Sequence, residues 1–336
     1  MTSGWLIRVP VLSLSIPNSA IRIRLMRSAP DYIQFYPTLR CNRSCDFCFN
    51  RSLPDVPDMT YEAFCAMLDR LKALSVKTID IIGGEPTLHP ELIRIVREAN
   101  RQGFRVNISS NGTDTEVLRE LCGMGQDVTV GISINDRETL DQLKGFIRRY
   151  QPVVKTVHTR RMDNTLLQDI FALKPKKFYL IYRDAISRAK LEDTIPFPQY
   201  LNDVANRYAS QEAGLVYCSG FIPDAACPEL SNVRCPARTT KLGVMPDGSV
   251  YPCNLFFGKP RFLLGNILTD SFEAIWNHHA LDFFRSYAEN PCERRSCELH
   301  SKCHGGCPAQ ALLLSGDLTA PDPRCIAKAA TGKNLV

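Results

Sequence analysis

Cys41, Cys45 and Cys48 stand at a C-x3-C-x2-C spacing directly after an apolar run, residues 32–36, that reads as a strand. No other stretch constrains the fold as strongly, because three thiolates on one short loop can hold one metal centre. A 4Fe–4S cluster takes four ligands, so three from the protein leave one iron open to an outside ligand. Cysteine clusters in intracellular chains are also often structural zinc sites. Zinc loops usually combine C-x2-C with a second pair, and none follows here within a finger's length. Spacing alone keeps both metals open.

Downstream of the loop the sequence settles into a strand–helix rhythm. Residues 61–74 have Thr60 as N-cap and Phe64, Met67, Leu68 and Leu71 on one helical face. A strand over 78–82 runs into Gly83-Gly84-Glu85-Pro86, and Pro90 and Gly103 bracket a helix over 91–102. Strands follow over 105–109, 128–134, 153–157 and 177–182. Between them lie helices capped by Thr113 with Glu116 and by Asn135 with Glu138, and a further helix over 164–173. Such alternation predicts an α/β fold with a parallel sheet, closed or nearly closed, and ligands at the C-terminal strand ends. Pro196-Phe197-Pro198 opens another helix, to about residue 209, that leads out of this unit.

Phe47 before the third cysteine, and the Gly-Gly-Glu-Pro segment after the next strand, make the stretch resemble the radical S-adenosylmethionine (radical SAM) superfamily. The resemblance implies a partial (β/α)6 TIM-like barrel over 31–214, with the open iron chelated by SAM. It implies that Gly83, Gly84 and Glu85 receive the SAM amino group and that Phe47 lies near the adenine. Ser110-Asn111-Gly112 resembles the family's Thr/Ser-Asn-Gly turn, and Ser133 matches a position that often meets SAM. Arg160 is a candidate partner for the SAM carboxylate, since guanidinium forks suit carboxylates. An ordinary turn at Asn111-Gly112 and a solvated Arg160 remain the plainer readings.

Beyond residue 214 the composition changes, and nine of the 14 cysteines fall between Cys218 and Cys325. Cys297, Cys303 and Cys307 reproduce a C-x5-C-x3-C run, and Cys253 closes a Gly-x4-Cys. This half, 215–336, resembles the SPASM domain, a small Cys-rich α+β extension holding two auxiliary 4Fe–4S clusters, for three in all. The family pattern implies Cys235, Cys253 and Cys307 for the first auxiliary cluster, and Cys292, Cys297, Cys303 and Cys325 for the second. The x4 spacing from Cys292 to Cys297 departs from the usual x2. For the first cluster's remaining ligand the candidates are Cys227, then Cys218, or a substrate on a vacant iron. Zinc ribbons are the alternative for this half, and His300 and His304 lie among its cysteines. Cys65 and Cys122 fall on helices and read as buried apolar thiols.

A net charge of +6 on 336 residues and no block of like charge argue against a nucleic-acid-binding tail. Residues 1–30 read as a β-rich leader too short in apolar length to span a bilayer. The thiol content suits a reducing cytoplasm, where disulfides are rare. By resemblance, the chain acts as a radical SAM oxidoreductase that modifies or crosslinks a ribosomally made peptide or protein. The alternative is a dehydrogenase or bond-forming enzyme on a small molecule or cofactor precursor. A flavodoxin- or ferredoxin-like electron donor, and a separate peptide-recognition protein, are the implied partners. Some relatives place an Asp base just after the Gly-x4-Cys cysteine, and here that residue is Asn254. Strand four runs as Ser133-Ile134-Asn135-Asp136 straight into a helix, where many peptide-modifying relatives have Ser-x-Asp-Gly and a loop.

Overall fold

The computed structural model describes residues 29–185, 187–196, 199–200, 213–216, 235, 237, 241–286 and 305–326. Among these, β1 (Tyr32–Phe35), β2 (Thr78–Ile81), β3 (Arg105–Ser110), β4 (Val128–Ser133), β5 (Val153–His158) and β6 (Lys177–Tyr182) lie side by side, all parallel. Helices return the chain between successive strands: α1 (Tyr61–Ala73), α2 (Leu92–Arg101), α3 (Thr115–Cys122), α4 (Arg137–Tyr150) and α5 (Asn164–Ala172). After β6 comes a single-turn helix, α6 (Arg188–Leu191), and residues 199–200 are helical. The leader up to residue 28, and most of the helix expected over 196–209, lie outside the described residues.

The strands extend past the six units at both edges. β7 (Ala213–Val216) pairs in parallel with β6, so the boundary expected near residue 214 falls inside a strand. On the other side β8 (Lys241–Val244), from the Cys-rich half, pairs in parallel with β1. The hairpin partners β9 (Ser249–Tyr251) and β10 (Gly265–Asn266) then continue antiparallel. The order is β10-β9-β8-β1-β2-β3-β4-β5-β6-β7, an open sheet, as a partial barrel requires. Short helices α7 (Phe272–Trp276), α8 (Asp282–Ser286) and α9 (Pro308–Ser315) complete the described part.

Alternation of buried and partly exposed residues along β3 and β6 puts one face of each strand under the helices and the other toward the lumen. Beneath α1, Phe64 packs at 5.4 Å ring to ring on Phe35, with Met67, Leu68 and Leu71 fully buried beside it. Thr60 caps α1 as expected, accepting the Ala63 N–H.

Two other caps sit one residue later than the capping-box reading placed them. Asp114 caps α3 and Asp136 caps α4. Thr113 is instead engaged with Asn111 Oδ1, and Asn135 Oδ1 accepts the Val157 N–H at 2.8 Å. Asn111 in the same turn holds Thr113 and Val157 on β5 holds Asn135, and a carboxylate next in line takes each helix N-terminus. The sharp passage from Ser133 into α4 is as expected.

Replacing Phe64 by alanine removes its ring contact with Phe35, between α1 and β1. Urea unfolding followed by circular dichroism should show a loss of about 3–5 kcal/mol.

Candidate active site at the strand ends

The cysteine loop is fixed by backbone bonds before any side chain is considered. Ile82 N–H donates to Phe35 O at 2.9 Å, Gly84 N–H to Thr38 O at 3.0 Å, and Glu85 N–H to Arg40 O at 2.7 Å. The lead-in to Cys41 is therefore zipped along the Gly-Gly-Glu turn. This close approach demands glycine. A Cβ on Gly84 would lie 2.0 Å from Arg40 O, and Gly83 has φ +137°, in the region that favours glycine.

Side chains then tie the loop to the other strand ends. Asn50 Nδ2 donates to Gly83 O at 2.5 Å. Asn42 bridges to Asn111 and Thr113 after β3, both at 2.8 Å. Arg43 reaches Thr139 at the start of α4 at 2.9 Å, and Asp46 accepts from Arg183 after β6 at 3.3 Å.

The result is a cleft of about 260 Å³ at the C-terminal strand ends. Its wall includes Cys41, Cys45, Phe47 and Cys48 on the loop, and Gly83, Gly84 and Glu85 on the turn zipped to its lead-in. Ser110 ending β3, Asn111 after it, and Ser133 ending β4 also line it. Glu85 is buried, and its carboxylate orders the neighbouring turn. Oε1 accepts from Thr87 N–H, Thr87 Oγ1 and Ser110 Oγ, and Oε2 accepts the Asn111 N–H at 2.7 Å.

Arg160 is not part of this wall. Its N–H donates to Asp193 O and its guanidinium to Thr194 O at 3.1 Å, on the loop after β5. The arginines lining the cleft are Arg43 and Arg183, with Asp184 beside the latter. Lys155 was also missed. It crosses β4 at Gly131, whose absent side chain leaves the space, and its Nζ donates to Ser109 Oγ at 2.5 Å. The signal was a glycine in mid-strand with a lysine on the next strand.

All three loop thiols are free. Burial, and then the neighbouring thiolates of Cys48 and Cys41, pushes the Cys45 thiol above its usual value, and burial does the same for Cys48. A cationic centre would reverse that preference, since metals bind cysteine as thiolate. Three soft thiolate donors on one short loop, with a fourth position left to an outside ligand, fit an iron–sulfur cluster.

In the Cys-rich half, Cys253 and Cys307 are buried and Cys235 partly so. Cys253 ends the β9 connection, and Cys307 is the N-cap of α9, which packs on the turn Asn254–Phe256. The backbone of Cys325 lies in the turn Pro323–Ile326 beside α9. Cys218, Cys227, Cys292, Cys297 and Cys303, with His300 and His304, lie outside the described residues. Tyr36 is buried between the two cysteine regions, and burial raises its phenol strongly, with Cys48 and Cys253 acting in the same direction. Asn254 Nδ2 donates to its hydroxyl at 3.3 Å, so the residue standing where some relatives have a base is spent on Tyr36. Cys65 and Cys122 sit half-buried on α1 and α3, more exposed than core thiols.

Residues 35–166 match the radical SAM superfamily, and residues 235–308 match the iron–sulfur cluster-binding SPASM domain. Among curated proteins, the chain is 26% identical over 322 residues to the PqqA peptide cyclase of Methylocella silvestris, covering 86% of this chain and 85% of that one. It is 26% identical over 332 residues to mycofactocin maturase MftC of Mycobacterium tuberculosis, covering 89% and 83%. It is 25% identical over 300 residues to the tungsten-containing aldehyde ferredoxin oxidoreductase cofactor-modifying protein of Pyrococcus furiosus, covering 77% and 84%. In structure it is similar to Streptococcus suis SuiB bound to S-adenosylmethionine, with a TM-score of 0.72 at 19% identity, covering 91% of this chain and 80% of that one. The cysteine loop zipped to its Gly-Gly-Glu turn and the two matching domains agree: the chain belongs to the radical SAM superfamily, carries a SPASM domain, and has the cofactors of that family, SAM and iron–sulfur clusters.

Proposed function

We propose that this protein is a maturase that reductively cleaves SAM and removes hydrogen from a ribosomally made peptide, leaving it oxidised or crosslinked. One observation carries the reading. The three loop thiols, the Gly-Gly-Glu turn, and the Ser110, Asn111 and Ser133 strand ends all face one cleft. When bound there, SAM and its cluster supply a 5′-deoxyadenosyl radical able to take hydrogen from unactivated carbon. The chain's own residues do the rest. Cys41, Cys45 and Cys48 hold the cluster, and Gly83, Gly84 and Glu85 receive the SAM amino group. Phe47 covers the adenine, and the lumen walls exclude water from the reacting carbon.

We assign Cys235, Cys253 and Cys307, with Cys227 as fourth ligand, to one auxiliary 4Fe–4S cluster. Cys292, Cys297, Cys303 and Cys325 are assigned to another. For the SAM carboxylate, Arg43 and Arg183 are better placed than Arg160, since they line the cleft.

A peptide substrate is favoured by relatives named as a PqqA peptide cyclase, a mycofactocin maturase and a subtilosin biosynthesis protein, and by SuiB bound to its precursor peptide SuiA. A cofactor-modifying protein and an AdoMet-dependent heme synthase among the relatives favour a small-molecule substrate as the second reading. A flavodoxin- or ferredoxin-like protein would deliver the electron, and a separate protein would present the peptide. Among the described residues no helix is long and apolar enough to cross a membrane. The 14 cysteines suit a reducing compartment, and we place the enzyme in the cytoplasm.

Anaerobic purification with iron analysis should give about 12 Fe per chain, from three four-iron clusters. Changing Cys41, Cys45 and Cys48 together to alanine should abolish 5′-deoxyadenosine formation on addition of dithionite and SAM. Cleavage that survives this change would overturn the site. Changing Cys253 and Cys307 should spare part of that uncoupled cleavage while ending product formation.

The zip gives a separate test. Gly84→Ala should weaken SAM binding at least about tenfold in equilibrium dialysis, about 1.4 kcal/mol or more, while far-UV circular dichroism stays near that of the parent.

A further inference from the structure

One guanidinium joins the cleft to the segment that bears Cys307. Arg324 is fully buried, on the turn that also carries Cys325. Its Nη1 donates to Asp184 Oδ1 at 3.1 Å and to the Arg183 carbonyl at 3.2 Å. Its Nε and Nη2 donate to the two oxygens of Asp322, at 3.0 and 2.8 Å.

Asp322 is itself buried, and its Oδ2 also accepts the Cys307 N–H at 3.0 Å. Gln310, fully buried on the first turn of α9, makes a parallel connection. Its Nε2 donates to Asp184 Oδ1 at 2.9 Å, and its Oε1 accepts the Ala185 N–H at 3.1 Å. Both groups grip the same oxygen of Asp184, a residue that lines the cleft and whose side chain is 29% exposed.

A buried ionic cluster is a poor source of net stability, because desolvating its charges offsets their attraction. What it does supply is direction: a bidentate fork fixes both partners in one plane. We propose that Arg324 is a positioning residue, through which, together with Gln310, the Cys307 segment sets the orientation of the Asp184 carboxylate in the cleft. Asp184 Oδ1 is taken from behind, and Oδ2 is offered to an N–H or O–H donor of the bound ligand. The acid in the cleft and the Cys307 loop then shift together. This deepens the proposed function and rests on it only in taking the cleft as the place of reaction.

Hydrogen exchange by mass spectrometry on the full, iron–sulfur-reconstituted chain tests the coupling without any ligand. Asp184→Ala leaves every bond of Asp322 to Arg324 and Cys307 in place. Under the proposal it still raises exchange in the peptide over residues 305–312 at least threefold. Arg324→Met should raise exchange at least tenfold both there and over residues 183–185. Arg324→Lys, which keeps the cation but not the fork, should recover less than half of the lost protection on a logarithmic scale.

Exchange that rises in Asp184→Ala only around residues 183–185 would overturn the proposal. So would an Arg324→Lys variant that restores the protection in full, since charge alone and not the fork would then hold the segment. If Arg324→Met does not fold, the Asp184→Ala comparison decides alone. Formation of 5′-deoxyadenosine is read separately on the unaltered protein, and its absence would count against the enzyme assignment while leaving the coupling result intact.

Discussion

Everything in the site hangs on a short backbone zip in which the chain entering Cys41 runs beside the Gly-Gly-Glu turn. The Gly84 N–H to Thr38 O and Glu85 N–H to Arg40 O hydrogen bonds form in a place where no side chain at residue 84 could fit. A metal-binding loop with three cysteines would otherwise be free to wander, because its own residues make few internal bonds. Pinned in this way, the thiols and the turn face each other across a distance set by covalent geometry and two hydrogen bonds. The cofactor is met by a preformed wall instead of having to organise one.

Around that zip, the segments that follow β3, β4 and β6 supply tethers. Asn42 answers to Asn111 and Thr113, Arg43 to Thr139, and Asp46 to Arg183. These are polar contacts at partly exposed positions, individually weak. Their value is that they come from different strands, so the loop is triangulated. Glu85 plays the same part internally by accepting from Thr87, Ser110 and Asn111 together.

The parts legible in the sequence were those in which chemistry restricts residue type at short range. Cysteine spacing, a paired glycine before Glu85, and the apolar face of α1 survive translation into three dimensions almost unchanged. Helix caps were legible only to within a residue, because Thr113 is engaged by Asn111 in its own turn and Asn135 by Val157 on the next strand. Arg160 and Arg183 look alike on paper, each an arginine just past a strand, and only the path of the loops decides which one reaches the cleft. The reach of Lys155 over Gly131, and the Arg324–Asp184–Asp322 cluster, depend on residues far apart in the chain. No local pattern announces such pairs: an arginine is ordinarily a surface residue, and Arg324 is buried where two carboxylates meet it.

The pairing of β8 with β1 carries one more consequence, for the order in which the molecule is assembled. A ribosome releases the six strand–helix units first, and they can associate among themselves while the outer border of β1 still shows bare amides and carbonyls. That border is sealed only when a much later stretch emerges and lies along it. Because the same stretch leads directly into Cys253, maturation of the C-terminal half and protection of the nascent sheet from sticking to other chains become a single late event.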